Sequence, residues 1–490
     1  MNRRLEKVLV VSIPVVILLI FTGLLYVSSV PIPVIDVESG FYGEGFLVTV
    51  KVPSGSTAYY TIDGTEPDEN SERYLSGIHI YNRTPEETHF TNIEGSSGQA
   101  VWIGGGNIFY PTHSIPKATV LTVKILDRYG RWSDPIQNFY YIGEDYKKYK
   151  DIIVVSLAVS PEDLFGENGI YMNGNDYNSY VNQNSLSKIA GPELENIWAL
   201  ANWGKRGENA RKQAFVSILK NGKMYQSNAK INIAGHTSRI YPQKSFTVRF
   251  DNANDWLIID RNYDETGSVI RGLFSYKLRN GGTQNQNDFL NDYICQSLSS
   301  ELAFDTQSQQ LCVLFINGEY WGIYELVERY NEEYLYSHYG LRECNKPLLI
   351  KSGYSENEDA RVEYNRLVDW IKRTEFSREE AYEALCAKTD VLSLVQLYAA
   401  NIYLANLDFG NNNIACWTAL DSGDNQYVKW KWMMYDCDTT FNDIDIISML
   451  ELYLNADWLF AKLCHNDQFC HELAIKKNIW PLDWFDYQSI

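Results

Sequence analysis

The stretch Asn406-Leu407-Asp408-Phe409-Gly410-Asn411-Asn412-Asn413, with its continuation Tyr435-Asp436-Cys437-Asp438-Thr439-Thr440-Phe441, decides how the rest of the chain is read. Asp408 precedes Asn413 by five positions, and Asp436 precedes Asp438 by two. Between the two acidic elements the pattern predicts a two-stranded ribbon. Its strands are Ile414–Leu420 and Tyr427–Tyr435, with a turn through Asp421-Ser422-Gly423-Asp424-Asn425. A ribbon folds back on itself, so both acidic loops are expected at the same end of it.

On a strand, residues two apart point the same way, which would aim Asp436 and Asp438 into one place. Two such carboxylates repel unless a cation or proton lies between them. A divalent cation with oxygen ligands resolves that repulsion, since Mg²⁺ is commonly held by one or two carboxylates plus substrate phosphates. An Asp-x4-Asn loop, a hairpin and a second acidic element are, in that order, the parts of a phosphoryl-transfer centre. Asp408 would orient the attacking hydroxyl, and Asn413 would turn back to the metal. The bland alternatives are a polar helix-to-strand loop at 406–413 and a solvated strand end at 436–438.

Such a centre also needs cations for phosphate. The segment Gly235-His236-Thr237-Ser238-Arg239-Ile240-Tyr241-Pro242-Gln243-Lys244 runs into the apolar strand Ser245–Phe250. Alternation puts Lys244 on the face of Phe246 and Val248, where a lysine calls for an anionic partner. Lys244, Arg239 and Arg279 are therefore the candidate phosphate ligands. A helix from about Asp288 to Leu302, apolar at Leu290, Ile294, Leu298 and Leu302, would offer Asp288 or Asp292 to hold Lys244. The segment Glu325–Arg329, with Glu325 and Glu328, follows the hairpin at Asn317-Gly318 and stands where a nucleotide base would be held. Further on, Asp390 caps an apolar helix that delivers the chain to Asn406.

The composition fits this reading without demanding it. The 490 residues are 45% hydrophobic and 21% charged, enough for two or three folded domains. A net charge of −19 argues against nucleic acid as the partner. Arg3, Arg4 and Lys7 precede an apolar run to about Val30, long enough for a membrane span with the remainder outside the cytoplasm. A cleaved signal segment ending near Ser28-Ser29 is the alternative. The expectation is a single-pass membrane protein with its bulk extracytoplasmic. All eight cysteines follow residue 290 and none shows zinc-site spacing. They are either disulfide partners, Cys464 with Cys470 being the most local pair, or buried thiols.

From Gly40 to Ile142 short alternating segments and Gly/Pro/Asp turns predict an all-β unit, after an extended stalk over 31–37. The phrase Tyr59-Tyr60-Thr61-Ile62-Asp63-Gly64-Thr65-Glu66-Pro67 resembles the immunoglobulin-like sandwich at the C-terminal end of chitobiases, with Arg83–Asn107 as an insertion. A spacer role is expected for it.

Beyond residue 152 the motifs carry a second resemblance. Gly235-x-x-Ser238-Arg239-x-x-Pro242-x-Lys244-Ser245-Phe246, Leu278-Arg279-Asn280, Asn317-Gly318-Glu319-Tyr320-Trp321-Gly322, Asn406-x-Asp408-x4-Asn413 and Asp436-x-Asp438-x-Thr440-Phe441 resemble the spore coat protein H (CotH) kinase family. The resemblance implies an α+β, atypical protein-kinase-like, two-lobed domain over 152–490, preceded by the sandwich at 31–143 and the membrane or signal segment at 1–30. It implies transfer of phosphate from ATP, with Mg²⁺ or Mn²⁺, to Ser/Thr of a protein substrate. Asp408 would be the catalytic Asp, Asn413 with Asp436 and/or Asp438 the metal ligands, and Lys244 and Arg239 the phosphate contacts. The alternatives are an inactive cell-surface or spore-coat structural protein and, with the least support, a glycoside-active enzyme using paired carboxylates.

Overall fold

The computed structural model describes residues 30–96, 111, 113–184, 192–251, 275–285, 288–410, 412–421, 423 and 426–476. The expected membrane segment at 1–29 lies outside them, as do residues 97–107 of the expected insertion and the last residues of the tail. Among the described residues no helix is long and apolar enough to cross a membrane. The architecture is mixed α+β.

The N-terminal unit is sandwich-like. A five-stranded sheet places Gly40–Tyr42, Ile136–Ile142, Thr119–Leu126, Thr57–Thr61 and Glu72–Arg73 side by side, and Phe46–Val48 pairs with Ile78–Ile80. Alternation on these strands splits their apolar residues between two cores. Val48, Ile78, Ile80, Leu121, Val123 and Tyr140 fill the inside. Val120, Phe139 and Tyr141 pack outward, against Val154, Ala158, Val313 and Phe315 of the next unit. The 31–37 stretch is not a free stalk, because Val34–Ile35 pairs with Val50–Lys51.

That next unit is a closed barrel of seven strands: β1 (Ile153–Val159), β2 (Lys212–Lys220), β3 (Lys223–Ile233), β4 (Phe246–Phe250), β5 (Ser275–Arg279), β6 (Gln309–Ile316) and β7 (Glu319–Glu328). The order around it is β1-β2-β3-β4-β5-β7-β6, with β6 closing on β1 in parallel and every other pair antiparallel. The Asn-Gly turns work as expected. Asn221 and Asn317 adopt φ of 51° and 48°, and the following glycines 72° and 83°, the left-handed pair a tight hairpin requires. Inward-facing Val155, Leu157, Ile231, Phe246, Val248, Tyr276, Leu278, Leu314 and Leu326 fill the barrel. Its outer surface is shared: β1 and β6 back onto the N-terminal unit, while β3, β4, β5 and β7 face a helical part.

The helical part is built on the apolar helix Val391–Tyr403, whose N-cap Asp390 accepts from Ser393 N. Around it pack Glu358–Arg373, Glu379–Lys388 and the C-terminal helices Ile446–Ala456, Trp458–Leu463 and Asp467–Lys476. The expected ribbon is present as β9 (Ala415–Thr418) and β10 (Lys431–Met433), joined by a third strand, β8 (Leu348–Lys351).

One helix departs from expectation. It spans Asn291–Leu298, and the predicted apolar stripe faces outward: Leu290, Ile294 and Leu298 are 37%, 37% and 47% exposed. The buried side carries Asn291, Asp292, Cys295 and Gln296 instead. Periodicity located the helix and misjudged its face, because this side is bound to the 434–440 segment by polar contacts. Asn291 Nδ2 donates to the carbonyls of Asp438 and Thr440, and Gln296 Nε2 to Met434 O. The eight cysteines are free thiols, and Cys470 Sγ donates to Cys464 O.

Candidate functional site

A cleft of about 880 Å³ lies between the outer face of β3, β4, β5 and β7 and the loops of the helical part. Asp408, Asn413, Asp436, Asp438, Arg239 and Arg279 all line it, although they come from segments as much as 200 residues apart. Lys244, Glu325 and Glu328 do not.

The two acidic loops are laced together at the end of the helix Val391–Tyr403. Asn406 is fully buried; its Oδ1 accepts from Asp408 N at 3.1 Å and from Thr439 Oγ1 at 3.0 Å. Leu407 N donates to Thr439 O and Phe441 N to Leu404 O. Asn413 Nδ2 bonds Asp408 Oδ2 at 2.9 Å and reaches Asp436 O at 3.4 Å. Four non-glycine residues here, Ala405, Asn413, Asp436 and Phe441, have φ between 48° and 60°. Left-handed backbone of this kind costs energy and gathers where a site imposes it.

Asp436 and Asp438 do converge, but not by strand alternation. Strand β10 ends at Met433, and the left-handed turn at Asp436 brings the two carboxylates together. Arg279 Nη2 donates to Asp436 Oδ1 at 2.5 Å and to Asp438 Oδ1 at 2.9 Å. Asp438 also accepts from Thr283 N (2.7 Å) and Thr283 Oγ1 (2.9 Å). These bonds require the turn Gly281-Gly282: Gly282 has φ +63°, and a Cβ there would lie 2.1 Å from Asp438 Oδ2. Burial and the neighbouring Asp438 hold the Asp436 carboxyl well above the usual range, whereas Arg279 and the Thr283 bonds overcome burial and hold Asp438 low. Asp408 is raised too, by burial and then by Asp438, against hydrogen bonds from Asn412 and Asn413.

The donor set suits a hard divalent cation. Asp436 and Asp438 supply carboxylate oxygens, Asn413 an amide oxygen, and the proton shared by a crowded carboxylate pair is what a cation would replace. Among the described residues no three His, Cys, Asp or Glu side chains converge as a metal cluster. Asp436 and Asp438 would leave the rest of such a cation's shell to ligand oxygens and water.

The cation assignments need correcting. Lys244 sits as predicted on the face of Phe246 and Val248, but that face is the barrel interior, opposite the cleft. Its Nζ donates to Arg239 O (2.6 Å) and Tyr241 O (2.9 Å) and rests over Tyr171 and Trp203, and among the described residues no carboxylate pairs with it. It braces the 235–241 loop. Arg239 reaches the cleft, yet its Nε bonds Gly235 O and its Nη1 bonds Trp203 O and Lys205 O. Glu325 lies beneath Arg279, which contacts it at 3.4 Å; burial pushes its carboxyl up to about 7, and among the described residues one oxygen has no hydrogen-bond partner. Glu328 points inward to His338 Nε2 at 2.8 Å. Asp292 holds Arg279 and Cys437 N rather than Lys244.

Sequence reasoning missed the Gly281–Thr283 turn, Lys277, Arg329 and Lys351, all of which line the cleft except Gly281. Alternation from Arg279 would have found Lys277, which shares its face of β5.

Two family models match the chain. The CotH kinase protein family matches residues 231–476, half of the chain, a span that holds the cleft residues from Asn232 to Asp438. The chain belongs to the CotH kinase protein family. The chitobiase/beta-hexosaminidase C-terminal domain matches residues 37–90 of the N-terminal unit. No curated protein matches the chain.

Proposed function

We propose that this protein is an atypical, kinase-like phosphotransferase that moves a phosphoryl group from ATP to Ser/Thr hydroxyls of a protein. The observation that carries the reading is the meeting, in one cleft, of the Asp408–Asn413 loop with the Asp436/Asp438 pair. Asp408 is the group that accepts or orients the hydroxyl proton; its raised carboxyl suits a base, whose proton affinity should approach the working pH. Asn413, Asp436 and Asp438 hold Mg²⁺ or Mn²⁺, which would neutralise charge on the transferred phosphate. The barrel and the helical part act as two lobes enclosing the nucleotide. The membrane-anchored, extracytoplasmic placement, with spore surface as an alternative, stays a proposal carried by the N-terminal sequence.

The contact of Arg279 with both carboxylates favours a second reading, in which the arginine serves permanently as the counter-cation and the cleft no longer turns over. A thermal-denaturation series on the full chain with ATP and Mg²⁺ separates the two. The kinase reading expects stabilisation of about 2.7 kcal/mol at a hundredfold excess over Kd, lost without Mg²⁺ and in Asp438→Asn. No nucleotide-dependent shift in the wild type would leave the structural reading standing.

A further inference from the structure

The cations first expected to grip phosphate are already engaged. Arg279 is held by Asp292, Glu325, Asp436 and Asp438, Arg239 by three backbone carbonyls, and Lys244 by two inside the barrel. Three other basic side chains of the cleft are not so occupied. Lys277 pairs with Val327 across β5 and β7, so Arg329, two residues beyond Val327, is its diagonal neighbour on the same face. Lys351, at the end of β8 on the opposite wall, donates its Nζ to the carbonyl of Tyr330, the residue after Arg329. Arg329 Nη1 donates to Ser275 Oγ at 2.9 Å. Among the described residues none of the three forms an ion pair. Glu333 and Glu356 lie near enough to moderate Arg329 and Lys351 without reaching them.

Like charges gathered in a partly dry cleft destabilise one another unless an anion enters. Burial, then the charges of Arg329 and Lys277, bring Lys351 down to about 7, and burial, then the charge of Arg249, brings Arg329 to about 10. The gathering extends to the acidic pair: Lys277 is close enough to Asp436 and Asp438 for the charges to interact. An anion bound by the three cations would thus sit next to the candidate metal ligands and touch both walls of the cleft.

We propose that Lys277, Arg329 and Lys351 form a polyphosphate cradle for the triphosphate of a nucleotide, and that Lys244, Arg239 and Arg279 position the surrounding chain instead of binding phosphate. This rests on the nucleotide reading above and names the residues that carry it out.

The test measures binding by thermal shift on the full chain, using Mg²⁺–ATP and, separately, inorganic tripolyphosphate. The proteins compared are wild type, Lys277→Met, Lys351→Met, Arg329→Ala and, as a charge control on the exposed face of β3, Lys230→Ala. Each cradle variant should weaken both ligands about tenfold or more, the cost of a lost charge-assisted bond, and Lys230→Ala should change neither. Without ligand, Lys277→Met and Lys351→Met should melt no lower than wild type, since each removes a charge that burial disfavours. Tripolyphosphate binding without ATP binding would support the cradle and contradict the nucleotide reading. Wild-type binding of ATP that survives intact in Lys277→Met and Lys351→Met overturns the cradle alone. No binding of either ligand to wild type overturns both.

Discussion

Asn413 donates its side-chain amide to Asp408 across 2.9 Å, closing the Asp-x4-Asn loop so that the carboxylate and the amide oxygen face one cleft. The left-handed backbone at Asn413, φ 52°, makes this closure possible. Replacing Asp408 by Asn keeps the shape and removes the base. Phosphotransfer should fall by about 10²–10⁴-fold, the usual yield of general-base catalysis, while the melting temperature stays within a few degrees. A transfer assay beside a melting curve checks both.

Gly282 is the position where the backbone must pass closest to Asp438. Gly282→Ala brings a methyl onto Asp438 Oδ2 and forces an L-residue to φ +63°. The expected cost is about 1–3 kcal/mol of stability, with loss of the Thr283 bonds to Asp438. Urea denaturation measures the first effect and the Mg²⁺ dependence of ATP stabilisation the second.

The N-terminal unit is bonded to the barrel through Glu319. The Glu319 carboxylate accepts from the backbone N–H groups of His89, Phe90 and Thr91 and from the Thr91 hydroxyl, while Ala118 N bonds Gly318 O. Glu319→Ala leaves those donors unpaired and should destabilise the chain by about 2–4 kcal/mol, as expected when a buried charged acceptor is removed. Limited proteolysis should then cut near residues 89–91 faster than in wild type.

Buried Glu325 sets a pH dependence. Its folded carboxyl stands at about 7, against an ordinary 4.5. Raised in the folded state, it contributes stability that is complete below about 4.5 and disappears as pH rises through 7. The loss is on the order of 3 kcal/mol. Glu325→Gln should flatten the melting temperature over that window and make the protein at least as stable as wild type above it.

Much of this was legible in the sequence because it depended on local chemistry. The Asn-Gly hairpins, the Asp390 cap and the Asp408–Asn413 loop follow from turn and capping preferences. Strand parity placed Lys244 on the face of Phe246 and Val248 but not which face met the cleft, a matter decided by barrel closure. Periodicity located the helix Asn291–Leu298, yet its polar side is buried because partners 147 and 145 residues away satisfy Asn291 and Asp292. Asp436 and Asp438 converge through one left-handed residue, which no alternation rule foresees.

The most direct test is transfer of labelled phosphate from ATP by the full chain with Mg²⁺ or Mn²⁺, followed by phosphoamino-acid analysis, for wild type, Asp408→Asn and Asp436→Asn/Asp438→Asn. The account predicts metal-dependent phosphoserine or phosphothreonine with wild type and none above background with either variant. Equal labelling by all three, or none by wild type with any protein acceptor, would contradict it.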